Sequence, residues 1–155
     1  MRLGKGKLEK LRFSFAFALA FHYLCPMIMK RNDYLDDAVG LPRRLIATPS
    51  VSRDEAAAAS IVEEELRRCG FEPLREANNV WAVSRHYGEG KPTLLLNAHI
   101  DTVKPVASWT RDPFSPDIVD GRLYGLGSND CGGGLVALMQ AFRHLSQAAQ
   151  PYNLV

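Results

Sequence analysis

The chain has 155 residues, 46% hydrophobic and 23% charged, an ordinary globular composition at the length of one domain. A net charge of +2, with no long basic run interleaved with aromatics, argues against nucleic acid as a partner. Cys25, Cys69 and Cys131 lie far apart with no Cys-x-x-Cys pair, so neither a disulfide framework nor a zinc ribbon is expected, and reduced thiols in a cytosolic protein are.

Residues 1–28 differ from the rest. Arg2, Lys5, Lys7, Lys10 and Arg12 precede an apolar run from Phe13 to Phe21. That pattern fits the basic and apolar regions of a secretory signal, with Ala18-Leu19-Ala20 as a cleavage site. The run is short of the ~20 apolar residues that span a bilayer, so stable membrane association is not expected. Two other readings stay open. The leader is upstream sequence ahead of a start at Met27 or Met29, the reading adopted here, or it is a buried helix. The first implies a cytoplasmic protein; a real signal implies export.

From Asp33 helices and strands alternate. Asp33 to about Thr48 carries Leu35, Val39, Leu45 and Ile46 at helical spacing, with Pro42 as an expected interruption. Pro49-Ser50-Val51 reads as an extended connector. Ser52-Arg53-Asp54-Glu55 has the form of a capping box, in which hydroxyl and carboxylate each satisfy an orphan N–H. Behind it Ala58, Ile61, Val62, Leu66 and Cys69 form one stripe, and Gly70 ends the helix. Asn79 to Val83 reads as a strand, Gly88 to Lys91 as a turn, and Thr93 to Ala98 as a strand buried on both faces. Asp120-Gly121, between Ile118-Val119 and Leu123-Tyr124, is the strongest hairpin signal. Gly134 opens a last helix with Leu135, Leu138, Met139, Phe142 and Leu145 on one side. This alternation predicts an α/β layered fold.

The candidate chemistry lies in two segments. Asn97-Ala98-His99-Ile100-Asp101-Thr102 places an imidazole and a carboxylate two apart at the end of a strand, on one face. Neutral imidazole and carboxylate are standard ligands for divalent first-row metals. Asp101 can accept a hydrogen bond from His99 and fix its tautomer. Asp130 comes from a glycine-rich turn, Gly125 to Gly134, in which small residues let the backbone approach a metal closely. The bland alternatives remain: His99 and Asp101 as a structural hydrogen-bonded pair, and Asp130 as a helix N-cap. His22, His86 and His144 have no ligand spacing, and the latter two are expected at the surface. Cys131 is expected as a packed thiol rather than a thiolate ligand.

The run from Leu94 to Val103 resembles the first metal motif of the co-catalytic zinc amidohydrolases, a family that includes acetylornithine deacetylase, succinyl-diaminopimelate desuccinylase, aminoacylase and related carboxypeptidases. The similarity extends through Trp109 to Phe114, Asp120 to Gly125 and Gly127 to Asp130, and covers the earlier Pro49 to Glu55 and Asn78 to Val80. It implies that His99 binds one zinc, that Asp101 acts in the catalytic site by orienting His99, and that Asp130 bridges two zinc ions, for which cobalt could substitute. It implies no other cofactor. Leu126 stands where the family commonly has Arg, and Cys131-Gly132-Gly133 replaces the common Lys after Asp130. Both departures resemble an acetylornithine-deacetylase-like subgroup. The implied fold is part of a three-layer α/β/α catalytic domain, residues 29–155, truncated before an inserted dimerisation domain through which the full-length form would be a homodimer.

The implied reaction is metal-dependent hydrolysis of the amide bond of N-acyl amino acids. The resemblance also implies a Glu-Glu pair, the first acting as general base, another acidic ligand and a late histidine ligand; these are expected downstream, since after Asp130 the chain has no Asp or Glu and only His144. The fragment itself is therefore expected to be inactive. A dipeptidase or carboxypeptidase of the same family, and a non-catalytic binding module, are the competing readings.

Overall fold

The computed structural model describes residues 34–155; the leader and its start site lie outside the described residues. Residues Ala38–Val155 form one compact unit. Helix α1 covers 34–46. It runs through Pro42 instead of breaking there: proline removes one N–H from the ladder, while Leu41 and Ile46 on either side are buried and hold the helix down.

Helix α2, Ala56–Arg68, buries Ala58, Ala59, Val62 and Leu66, close to the expected stripe. Arg67 and Arg68 fall in its last turn, where the helix dipole favours cations. Gly70 follows at φ 84°, and Phe71 N–H reaches back to Leu66 O at 3.0 Å, so the helix stops at the expected glycine. The expected capping box is not formed. Helix α2 starts after Glu55, whose side chain makes no cap bond, and Ser52 lies on the connector with its hydroxyl turned to Asp101.

Strands β1 (Leu74–Glu76) and β2 (Asn79–Trp81) form an antiparallel hairpin. Strand β3 (Thr93–Leu94) pairs in parallel with the strand after the last helix. Strands β4 (Ile118–Val119) and β5 (Arg122–Leu123) form the second hairpin. Its turn has Asp120 at φ 50° and Gly121 at φ 73°, the two positive values a primed two-residue turn requires. Helix α3 spans Gly134–Leu145 and β6 is Asn153–Leu154. Among the described residues the strands form three two-stranded pairings, so the fold is a partial α/β domain.

The core gathers Val62, Leu66, Ala82, Leu135, Phe142 and Leu154, with the Phe71 and Phe142 rings 4.8 Å apart and tilted. Val136 is buried too, although the expected stripe omitted it. Asn153 clamps the β3–β6 end: it accepts from Gly88 N–H at 2.8 Å and donates to the Gly88 and Lys91 carbonyls. The strand expected to be buried on both faces is not: Leu94 and Leu95 are 41% and 62% exposed. The β3 strand has β6 as its ladder partner, and as consecutive residues Leu94 and Leu95 leave apolar surface exposed on both faces. No helix among the described residues is long and apolar enough to cross a membrane.

Candidate metal centre

The backbone after β3 carries His99 and Asp101 away from the core and alongside the 50–51 connector. Thr102 N–H donates to Ser50 O at 2.8 Å, and Val51 bridges Thr102 in parallel. The glycine-rich turn closes on the same place. A Cβ on Gly127 would stand 2.7 Å from Thr102 Cγ2, and one on Gly125 would stand 2.2 Å from Ile46 Cγ2. Both glycines also have positive φ, so close approach and conformation each require glycine there. Within the turn Asp130 and Cys131 leave helical geometry, and the peptide bond between them is cis. Asp130 does not cap α3; Gly133 occupies that position, without a side-chain cap.

The three expected site residues come together. His99 Nδ1 lies 3.1 Å from Asp101 Oδ1 and 3.1 Å from the Asp101 carbonyl. His99 Nε2 lies 3.1 Å from Asp130 Oδ1. Nδ1 faces two acceptor oxygens and Nε2 one, Asp130 Oδ1, so the neutral ring favours its hydrogen on Nδ1, and the protonated ring also donates from Nε2 to Asp130. The Asp130 carboxylate is 92% exposed. Behind the imidazole a cavity of about 20 Å³ is lined by Ser50, Asp101, Thr102, Gly127 and Cys131, about the space of a single water. Cys131 is partly buried, its Sγ where a Cβ on Gly134 would touch it. His144 is exposed, while His86 is partly buried rather than at the surface.

Charge follows the contacts. Partial burial works against a charged His99. The hydrogen bond with Asp130, that with the Asp101 carbonyl and the two nearby carboxylates outweigh it and raise the imidazole above its usual value. The Ser52 hydroxyl, opposed by partial burial and aided by His99, holds the Asp101 carboxyl below the usual carboxylate range. Ser52 is the site residue that sequence reasoning missed. Its Ser-x-x-Glu spacing pointed to a helix cap, and the signal for its real partner is 49 residues away in the chain.

The donor set suits a divalent ion in part. Two ligands each ~2.0–2.2 Å from a tetrahedral zinc stand about 3.3–3.6 Å apart, somewhat more than the 3.1 Å between His99 Nε2 and Asp130 Oδ1, so a small outward shift of either side chain would admit the ion. Among the described residues no group of three or more His, Cys, Asp or Glu is placed to hold an ion.

Residues 95–155 match the family model of peptidase family M20/M25/M40. The chain is 40% identical over 113 residues to succinyl-diaminopimelate desuccinylase of Xylella fastidiosa (strain M23), covering 69% of this chain and 29% of that protein. It is 39% identical over 119 residues to the enzyme of the same name from Anaplasma marginale (strain Florida), covering 72% of this chain and 30% of that protein. The chain thus spans about three-tenths of the length of the curated relatives it matches. Human carnosine dipeptidase 1 shares the fold, with a TM-score of 0.51 at 21% identity over 88% of this chain and 33% of that one. The similarity is to hydrolases throughout, on a partial α/β catalytic domain.

Proposed function

We propose that this chain supplies part of the metal cradle of a zinc-dependent amidohydrolase that cleaves the amide bond of N-acyl amino acids. The observation that carries the reading is the pairing of His99 Nε2 with Asp130 Oδ1 at 3.1 Å, while Nδ1 is held by Asp101. His99 and Asp130 would hold zinc, with Asp130 able to bridge a second ion, and Asp101 would keep the imidazole oriented. Bound zinc would supply Lewis acidity toward the amide carbonyl and a nucleophilic water near neutral pH. The chain's own residues would bind the ion and orient His99; the general base is not among them. Cys69 and Cys131 are reduced thiols, which fits a cytoplasmic protein.

The acyl group has two readings. Leu126 and the Cys131-Gly132-Gly133 run favour acetylornithine as substrate. The relatives named succinyl-diaminopimelate desuccinylase favour a succinyl group on a diamino acid.

The test replaces the matched segment of the Xylella relative with residues 34–155 of this chain. Zinc content and hydrolysis of N-acetylornithine and N-succinyl-diaminopimelate are then measured. His99→Ala and Asp130→Ala are each expected to abolish turnover and lower bound zinc. Either variant keeping full zinc and full activity would falsify the assignment.

A further inference from the structure

Ser52 sits on a connector fixed from both sides. Upstream, the Ser50 carbonyl takes the Thr102 N–H at 2.8 Å and Val51 bridges Thr102. Downstream, Arg53 turns back at φ 76° and Asp54 N–H closes the turn onto Val51 O at 2.7 Å. Glu55 anchors the far end, accepting from Arg53 N–H and from Asn78 Nδ2. Backbone geometry therefore delivers the Ser52 hydroxyl to Asp101 Oδ2, at 2.5 Å. The other oxygen of the same carboxylate, Oδ1, is the one that meets His99 Nδ1. An exposed carboxylate held at one oxygen alone can rotate; held at both, it has one orientation.

We propose that Ser52 is a positioning residue: by donating to Asp101 Oδ2 it fixes the carboxylate that fixes His99, so that Nε2 stays aimed at the ion position beside Asp130. The inference rests on reading His99 and Asp130 as metal ligands. Ser52 touches neither substrate nor metal; it acts through Asp101. Losing an outer partner of a metal-bound histidine typically costs ~10–100-fold in metal affinity, and Ser52 is one step further out.

The test uses the whole chain, labelled with ¹⁵N at histidine, as wild type and as Ser52→Ala, Ser52→Val and Ser52→Thr. Two quantities are read: exchange of the His99 Nδ1 proton with water in the metal-free chain, and the Zn²⁺ midpoint followed on the Nε2 resonance. Ser52→Ala and Ser52→Val are expected to speed exchange and to weaken Zn²⁺ binding by about 10-fold, the low end of the outer-partner range. Ser52→Thr, which keeps the hydroxyl, is expected to restore both. In an Asp101→Asn background Ser52→Ala should add nothing, because the two act as one unit. Wild-type exchange and midpoint in Ser52→Ala overturn the proposal, as do additive effects in the double variant. Unfolding of both Ala and Val variants while Thr folds also overturns it, since the hydroxyl would then serve the fold. Full zinc content in the His99→Ala form of the Xylella chimera overturns the underlying metal reading instead, which keeps the two failures apart.

Discussion

His99 is held between two carboxylates, with two acceptor oxygens at Nδ1 and one at Nε2. Nδ1, with more acceptors, keeps the hydrogen of the neutral ring, which leaves the lone pair on Nε2. The same carboxylates raise the imidazole's affinity for a proton, and that proton competes with metal at Nε2. The sign follows directly. With the folded value raised, the protonated ring contributes stability below the unfolded value near 6.5, and that contribution is lost as pH rises through the raised value. The contribution is small because the ring is half exposed. Zinc needs the neutral ring, so Zn²⁺ affinity is expected to climb as pH rises through that same value. Zn²⁺ midpoints across about pH 6 to about pH 8 check this, and a flat profile would contradict it. Asp101→Ala is expected to cost ~10–100-fold in zinc affinity, less than removing His99 itself.

At the level of elements, the site depends on α3 being pinned to the core, because the glycine-rich turn that carries Asp130 leads directly into that helix. Phe142 does much of the pinning, 6% exposed and against the Phe71 ring. Phe142→Ala is expected to destabilise the unit by ~3–5 kcal/mol, read as a lower denaturant midpoint at unchanged slope. Much of this was legible in the residues. Asp120-Gly121 dictates a turn that needs two positive φ values, and the structure has both. Gly70 marks the end of α2 because an L side chain resists its φ of 84°. The His-x-Asp pair and the distant Asp130 were identifiable because each residue type carries its own chemistry, and the structure brings them within hydrogen-bond distance. What was not legible depends on tertiary partners. Ser52 followed a local capping rule until Asp101, far along the chain, offered a stronger acceptor. Leu94 and Leu95 read as buried because strand hydrophobicity says nothing about how many neighbours a strand has.

For the whole molecule, the decisive quantity is the number of ligands one polypeptide can bring to an ion. Structural zinc sites use four protein ligands and catalytic sites three, with an open position. The described residues bring two, His99 Nε2 and Asp130, and no third His, Cys, Asp or Glu among them stands where it could join. Without a third ligand the ion is weakly held, and without a positioned base the proton must leave unaided, where general acid–base assistance typically gives ~10²–10⁴-fold. Packing points the same way. A mainly apolar cavity of about 140 Å³ opens between α2, β2 and α3, lined by Val62, Leu66, Leu138, Phe142 and the exposed Leu95. Exposed apolar surface next to a short ladder favours self-association. The 155-residue chain alone is therefore expected to associate with rising concentration and to leave N-acetylornithine intact, even with added Zn²⁺ or Co²⁺. Light scattering and a ninhydrin assay of the purified chain check both. Chelator-sensitive turnover that disappears in His99→Ala would mean that a complete catalytic set lies within this chain, and the two-ligand argument would fall.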